Sequence, residues 1–146
     1  MIVKQILAMK SGPDEIVTIR PDTTVAEAAR LLSERRIGAV VVSSDGRKAE
    51  GILSERDIVR ELGKRGAAIL DQPISELMTR KLMTCATGDD ALVILERMTQ
   101  GRFRHLPVVD ENGHMLGIVS IGDAVSARLK ELAAEKEALT GMIMGN

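Results

Sequence analysis

At 146 residues the chain is long enough to bury a real core, as one ordinary domain or two half-sized ones. A formal net charge of −1 supplies no global field to recruit DNA or an anionic membrane, and the single aromatic residue, Phe103, leaves no platform for stacked bases. Cys85 is the only cysteine, so an internal disulfide is excluded and nothing points to an oxidising compartment.

The first segment, "MIVKQILAMK", is apolar at Ile2, Val3, Ile6 and Leu7 but is interrupted by Lys4 and Gln5. It has neither a long apolar run nor a signal-peptidase site, and a cytoplasmic protein is expected. "IVTI" then reads as a short strand. "PDTT" supplies helix-start chemistry, with Thr24 as N-cap and Glu27 completing a capping box. Val25, Ala28, Ala29 and Leu32 give the apolar stripe of the helix that follows. "IGAVVVSSDGRKAEGILS" reads as two strands around Asp45-Gly46, a dipeptide that accepts positive φ at a hairpin turn. A second helix opens at Ser54 and runs through Ile58, Val59 and Leu62.

After the joining stretch "GKRGAAILDQP" the same order returns. "LMTC" reads as a strand with Cys85 as a small buried hydrophobe, and "TGDD" as a helix start with Asp90 as N-cap. Ala91, Ile94, Leu95 and Met98 form the stripe. "FRHLPVVDENGHMLGIVS" forms a hairpin around Asn112-Gly113, and a helix opens at Ser120 through Ala124, Val125 and Leu129. The tail "ARLKELAAEKEALTGMIMG" continues that helix with Leu129, Leu132, Lys136 and Leu139 near one face. A solvated helix end and a face packed on a partner both fit it.

These two halves are a duplication. Sliding the chain by 66 residues aligns Gly51 with Gly117, Ile52 with Ile118, Ser54 with Ser120, Asp57 with Asp123 and Val59 with Val125. The same offset carries Thr18 onto Thr84, Arg36 onto Arg102 and Val42 onto Val108. Ahead of the units, "VKQILAM" resembles "ISELMTR" at a displacement of 71, with "SGPDE" as the extra loop. Each repeat is therefore strand, helix, hairpin, helix, and a three-stranded sheet with two helices on one face is too small to close its own core alone. The division is residues 1–66 for the first repeat with its lead-in, 67–132 for the second, and 133–146 for a helical tail.

The recurring "GILSERD" and "GIVSIGD" place a serine and an aspartate at the mouth of a helix. One copy alone is adequately explained as a cap. Two copies also suit a ribose phosphate: a helix N-terminus and a serine O–H favour phosphate, and an ionised carboxylate accepts from sugar hydroxyls.

With "RHLPVVDENGHMLG" before the second motif, the duplicated unit resembles the CBS domain, named for cystathionine β-synthase, over roughly Met1 to Leu132. The resemblance implies an α/β (α+β) fold of two pseudo-symmetric β-α-β-β-α repeats packed through their sheets. It implies a regulatory module binding an adenosyl ligand in clefts between the repeats: AMP, ADP, ATP, an NAD-type dinucleotide or S-adenosylmethionine. No required cofactor, catalytic residue or metal follows from it. Asp57 and Asp123 would take the ribose hydroxyls, and Ser54 and Ser120 the phosphate. Thr18 and Thr84 would line the base or phosphate end. Gly38 and Ala39 in one copy, and Arg104, His105 and Pro107 in the other, would border the adenine, with Arg56 an added cation. The second half can neutralise phosphate where the first leaves room, so the seats should differ. Such pairs commonly form disc-like dimers, and a homodimer acting on a protein target in trans is expected, without nucleic acid or membrane. A dimerisation scaffold with vestigial sites is the alternative. A nucleotide-processing enzyme is disfavoured, because no Walker loop, ligand cluster or Ser-His-Asp set is legible.

Overall fold

The computed structural model describes residues 1–10 and 16–144. The "SGPDE" loop and the last two residues of the tail lie outside the described residues. In chain order the elements are α1 (Val3–Met9), β1 (Thr18–Ile19), α2 (Val25–Arg35), β2 (Ala39–Val42), β3 (Gly51–Ser54), α3 (Glu55–Arg65), 3-10 turns at Ala67–Asp71 and Ile74–Glu76, α4 (Ala91–Gly101), β4 (His105–Val109), β5 (Met115–Ser120) and α5 (Ile121–Ile143). No helix among the described residues is long and apolar enough to cross a membrane.

Packing groups these elements into two compact units. One takes in 16–83 with 110–116, the other 1–10, 84–109 and 117–144. In the first, β1 runs parallel to β2 with Thr18 opposite Val41, and β2 runs antiparallel to β3 with Ala39 opposite Ser54. All four residues of β2 are buried. Val40 and Val42 join Val25, Ala28 and Leu32 of α2, Leu53 of β3 and Ile58 of α3 in one core, closed by Ile69, Ile74, Leu77 and Met78. Residues 73–79 are sewn to this unit by bridges Thr24–Pro73 and Ile52–Thr79.

The second unit pairs β4 with β5. The expected strand at "LMTC" shortens to a single parallel bridge, Cys85 to Val108, with Cys85 N–H donating to the Pro107 carbonyl (3.0 Å). Pairing does not run on past Cys85, because Asp89 Oδ2 accepts the Ala86 N–H (2.8 Å) and turns the chain there. Here α1 supplies the lead-in, with Val3 N–H on Asp89 O (2.8 Å) and Ala91 N–H on Met1 O (2.9 Å).

The glycine that opens each motif has a packing reason. A methyl at Gly51 would come within 2.6 Å of Met78 Sδ, and one at Gly117 within 2.9 Å of Leu7 Cδ2. Leu7 and Met78 are equivalent under the displacement of 71. The lead-in that precedes the first repeat in sequence thus packs against the second motif, and the one that precedes the second packs against the first.

Local signals read from the sequence reappear closely. Gly46 and Gly113 have φ of 76° and 78° in the two hairpin turns. Asp90 caps α4 through the Leu92 N–H (3.2 Å), and Thr24 Oγ1 accepts the Glu27 N–H (3.2 Å), but the capping box expected there is only half formed, because the Glu27 side chain stays exposed and returns no bond to the Thr24 N–H. Arg36 and Arg102, aligned by the repeat, both end their helices in the left-handed region, at φ 54° and 57°. The helix stripes bury Val25, Ala28 and Leu32, and Ala91, Ile94 and Met98. The second helices behave differently. Ile58 and Ala124 are buried as expected, but Val59 and Leu62 are 66% and 40% exposed, and Val125 and Leu129 are 43% and 61% exposed, so part of the apolar stripe stays bare in both copies.

Candidate functional site

In each repeat a strand runs directly into a helix, and the junction residue is the serine. Ser54 (φ −107°, ψ 159°) and Ser120 (φ −92°, ψ 164°) are N-caps in extended backbone. Ser54 Oγ accepts the Asp57 N–H (3.2 Å) while Asp57 Oδ2 accepts the Ser54 N–H (2.9 Å). Ser120 and Asp123 repeat the exchange at 3.0 and 2.8 Å. Both motifs are complete capping boxes. Each serine hydroxyl hydrogen and part of each carboxylate's acceptor capacity remain after the cap is satisfied.

The strand before each hairpin reaches the same corner. Glu55 N–H donates to Gly38 O (2.9 Å), and 66 residues later Ile121 N–H donates to Arg104 O (2.8 Å). Gly38 and Ala39 therefore adjoin Ser54, and Arg104 and His105 adjoin Ser120 on the matching strand. Thr18 sits one strand further out, opposite Val41. Thr84 precedes the Cys85 bridge, and its carbonyl accepts from Arg97 (3.5 Å). Pro107 is buried within β4. Arg56 and Arg104 are exposed.

The family model for the CBS domain matches residues 3–64 and again 74–130. The chain belongs to the CBS-domain family. Its fold is similar to that of a CBS-domain-containing protein from Agrobacterium tumefaciens, at 44% identity and TM-score 0.81 over 88% of this chain and 99% of that one. It is also similar to a CBS domain protein from Pyrobaculum aerophilum complexed with AMP (29% identity, TM-score 0.76, 92% and 99% covered). A third likeness is to a CBS domain pair in complex with 5′-methylthioadenosine and S-adenosyl-L-methionine (26%, TM-score 0.73, 93% and 98%).

The two CBS corners differ in their charge compensation. Asp57 is 6% exposed, and the Arg60 guanidinium donates to its Oδ1 (2.9 Å) from one turn along α3. The residue equivalent to Arg60 is Ser126, which carries no charge. At Asp123 the cation comes instead from the end of the α1 segment: Lys10 Nζ lies 3.0 Å from Oδ2 and donates to the Ile118 carbonyl (2.8 Å). Burial alone would push the Asp123 carboxyl up. The Ser120 N–H and the Lys10 ammonium outweigh it and hold the carboxyl below its ordinary range.

Neither cation was a sequence candidate. Arg60 could have been found, since an aspartate and an arginine three apart on a helix share a face. Lys10 gave no such signal, because it lies far from Asp123 in sequence and outside the register of the 66-residue repeat.

Two further features do not converge on the corners. Cys85 is buried, and desolvation, aided by the Asp89 charge, pushes its thiol up to about 11; it is a packed hydrophobe, not a nucleophile. A cavity of about 530 Å³ opens in the first unit between α2 and α3, lined by Leu32, Ser33, Arg36, Gly38, Ile58 and Val59. It shares Gly38 with the expected set but not Ser54 or Asp57.

Proposed function

We propose that this CBS pair is a regulatory module that binds adenosyl ligands at its serine–aspartate corners and breaks no bond. AMP, ADP, ATP, NAD(H) and S-adenosylmethionine are the candidates. The observation that carries the reading is the AMP bound by the Pyrobaculum aerophilum relative, together with corners here that keep a serine O–H and carboxylate acceptors in reserve after capping. Asp57 and Asp123 accept the ribose hydroxyls, and Ser54 and Ser120 donate to phosphate at the helix mouths. Thr18 and Thr84 line the base or phosphate end. Gly38 and Ala39 leave room beside the adenine in one seat, where Arg104, His105 and Pro107 flank it in the other, and Arg56 adds charge near the first.

The ligand acts through differential affinity for two states of the protein, and a target in trans reads the difference. A cytoplasmic homodimer fits this reading. The bare residues Val59 and Leu62, and Val125 and Leu129, give each second helix an apolar patch for a second copy to cover.

A second reading, a dimerisation scaffold with vestigial seats, draws on the completeness of both capping boxes and the burial of Asp57. One experiment separates the two. With no Trp or Tyr the purified protein absorbs almost nothing at 280 nm, so a retained adenine dominates its spectrum near 260 nm. The regulatory reading predicts that peak, or a rise in melting temperature with at least one of AMP, ADP, ATP, NAD(H) and S-adenosylmethionine. A flat spectrum with no thermal shift from any of them leaves the scaffold.

A further inference from the structure

The two aspartates make the same cap yet present different oxygens. At Asp57 one donor falls on each oxygen: the Ser54 N–H on Oδ2 (2.9 Å) and the Arg60 guanidinium on Oδ1 (2.9 Å). At Asp123 both donors fall on Oδ2, the Ser120 N–H at 2.8 Å and the Lys10 ammonium at 3.0 Å. Among the described residues nothing is seen to donate to Asp123 Oδ1. Each carboxylate oxygen offers about two acceptor positions. Asp57 therefore keeps one open on each oxygen, whereas Asp123 keeps its open positions on Oδ1 alone.

A ribose presents two adjacent O–H donors, which a carboxylate takes best with one on each oxygen. Asp57 can do so with Arg60 in place. Asp123 cannot, because Lys10 fills the second position on Oδ2. We propose that Lys10 is a positioning residue that sets the sugar specificity of the second corner. By occupying Asp123 Oδ2 it leaves both ribose hydroxyls to share Oδ1, which holds the 2′-OH less well than one oxygen per hydroxyl does, so this corner tolerates a 2′-deoxyribose that the Asp57 corner discriminates against.

Lys10 is held for this role on its other side by the Ile118 carbonyl, which fixes the ammonium beside the strand that leads into Ser120. The lead-in residue equivalent to it is Lys81, which is exposed, while Arg60 serves the first corner. The asymmetry is thus built from two different elements, a helical neighbour at one corner and the α1 segment at the other.

The inference rests on the adenosyl-binding reading, and its test separates the two. AMP and 2′-deoxy-AMP are titrated calorimetrically into the full chain carrying Asp123→Asn, Asp57→Asn, or Asp57→Asn with Lys10→Met. With only the Asp57 corner intact, AMP is preferred by about 10-fold or more, the loss of one hydrogen bond to a charged group. With only the Asp123 corner intact the preference is below about threefold, and removing Lys10 raises it towards 10-fold. A Lys10→Met that shifts both affinities equally and leaves their ratio unchanged means a merely structural lysine and overturns the proposal. So does equal discrimination at the two corners. If a double variant unfolds, Lys10→Met alone serves: two binding events remain and both prefer AMP by about 10-fold, whereas a second event that is lost or still discriminates weakly overturns the proposal. Absence of AMP binding in the unsubstituted chain refutes the adenosyl reading itself.

Discussion

Asp57→Asn and Asp123→Asn are each expected to remove one adenosyl-binding event from a calorimetric titration and to leave the other intact. Asparagine keeps the size of the side chain and one oxygen to receive the serine N–H, but it loses the charge and replaces one acceptor by an NH2 donor that faces the sugar hydroxyls. Losing a hydrogen bond to a charged acceptor weakens the corner by roughly 10- to 100-fold. Folding suffers less. The cap is partly kept, and loss of a whole N-cap costs only about 1 kcal/mol. Calorimetric stoichiometry reads the first effect and melting temperature the second. Unchanged stoichiometry in both variants refutes the assignment of the aspartates to ribose and leaves them as helix caps.

Gly51→Ala destabilises the protein by about 1–3 kcal/mol, whereas Gly117→Ala costs less than about 1 kcal/mol. Both glycines lie in strands at ordinary backbone angles, so neither effect concerns φ. At Gly51 the added methyl meets Met78 Sδ at 2.6 Å, Met78 Cγ at 3.0 Å and the Thr79 carbonyl oxygen at 3.1 Å. That carbonyl accepts the Ile52 N–H (3.0 Å) and cannot withdraw without breaking the bridge that holds residues 73–79. At Gly117 the nearest atom is Leu7 Cδ2, the free end of a flexible side chain that can rotate away. Chemical denaturation of the two variants gives the comparison; equal costs would mean that the two lead-in contacts are energetically alike.

What the sequence made legible was local or periodic. The repeat shows as one fixed offset of 66, while the hairpin turns at Gly46 and Gly113 and the caps at Ser54, Asp90 and Ser120 depend on residues within a few positions of one another, and each took its expected form. What escaped was long-range or conditional. The strand at "LMTC" has the right composition, but Asp89 turns the chain after one bridge. The apolar residues Val59 and Val125 keep helical spacing and still face solvent, because periodicity names a face without saying what covers it. Lys10 reaches Asp123 only because the lead-in segments pack against the motif of the other repeat, a choice that no local signal encodes. The repeat also aligned the opening glycines of the two motifs without saying why they recur; the fold shows them as clearance for Met78 and Leu7.

The most direct measurement is an AMP titration of the isotopically labelled full chain followed by amide resonances. Ser54, Asp57, Ser120 and Asp123 are expected to shift and saturate, with different apparent affinities for the two pairs. Shifts confined to the residues around the α2–α3 cavity, such as Ser33 and Val59, with those four unmoved, would contradict it.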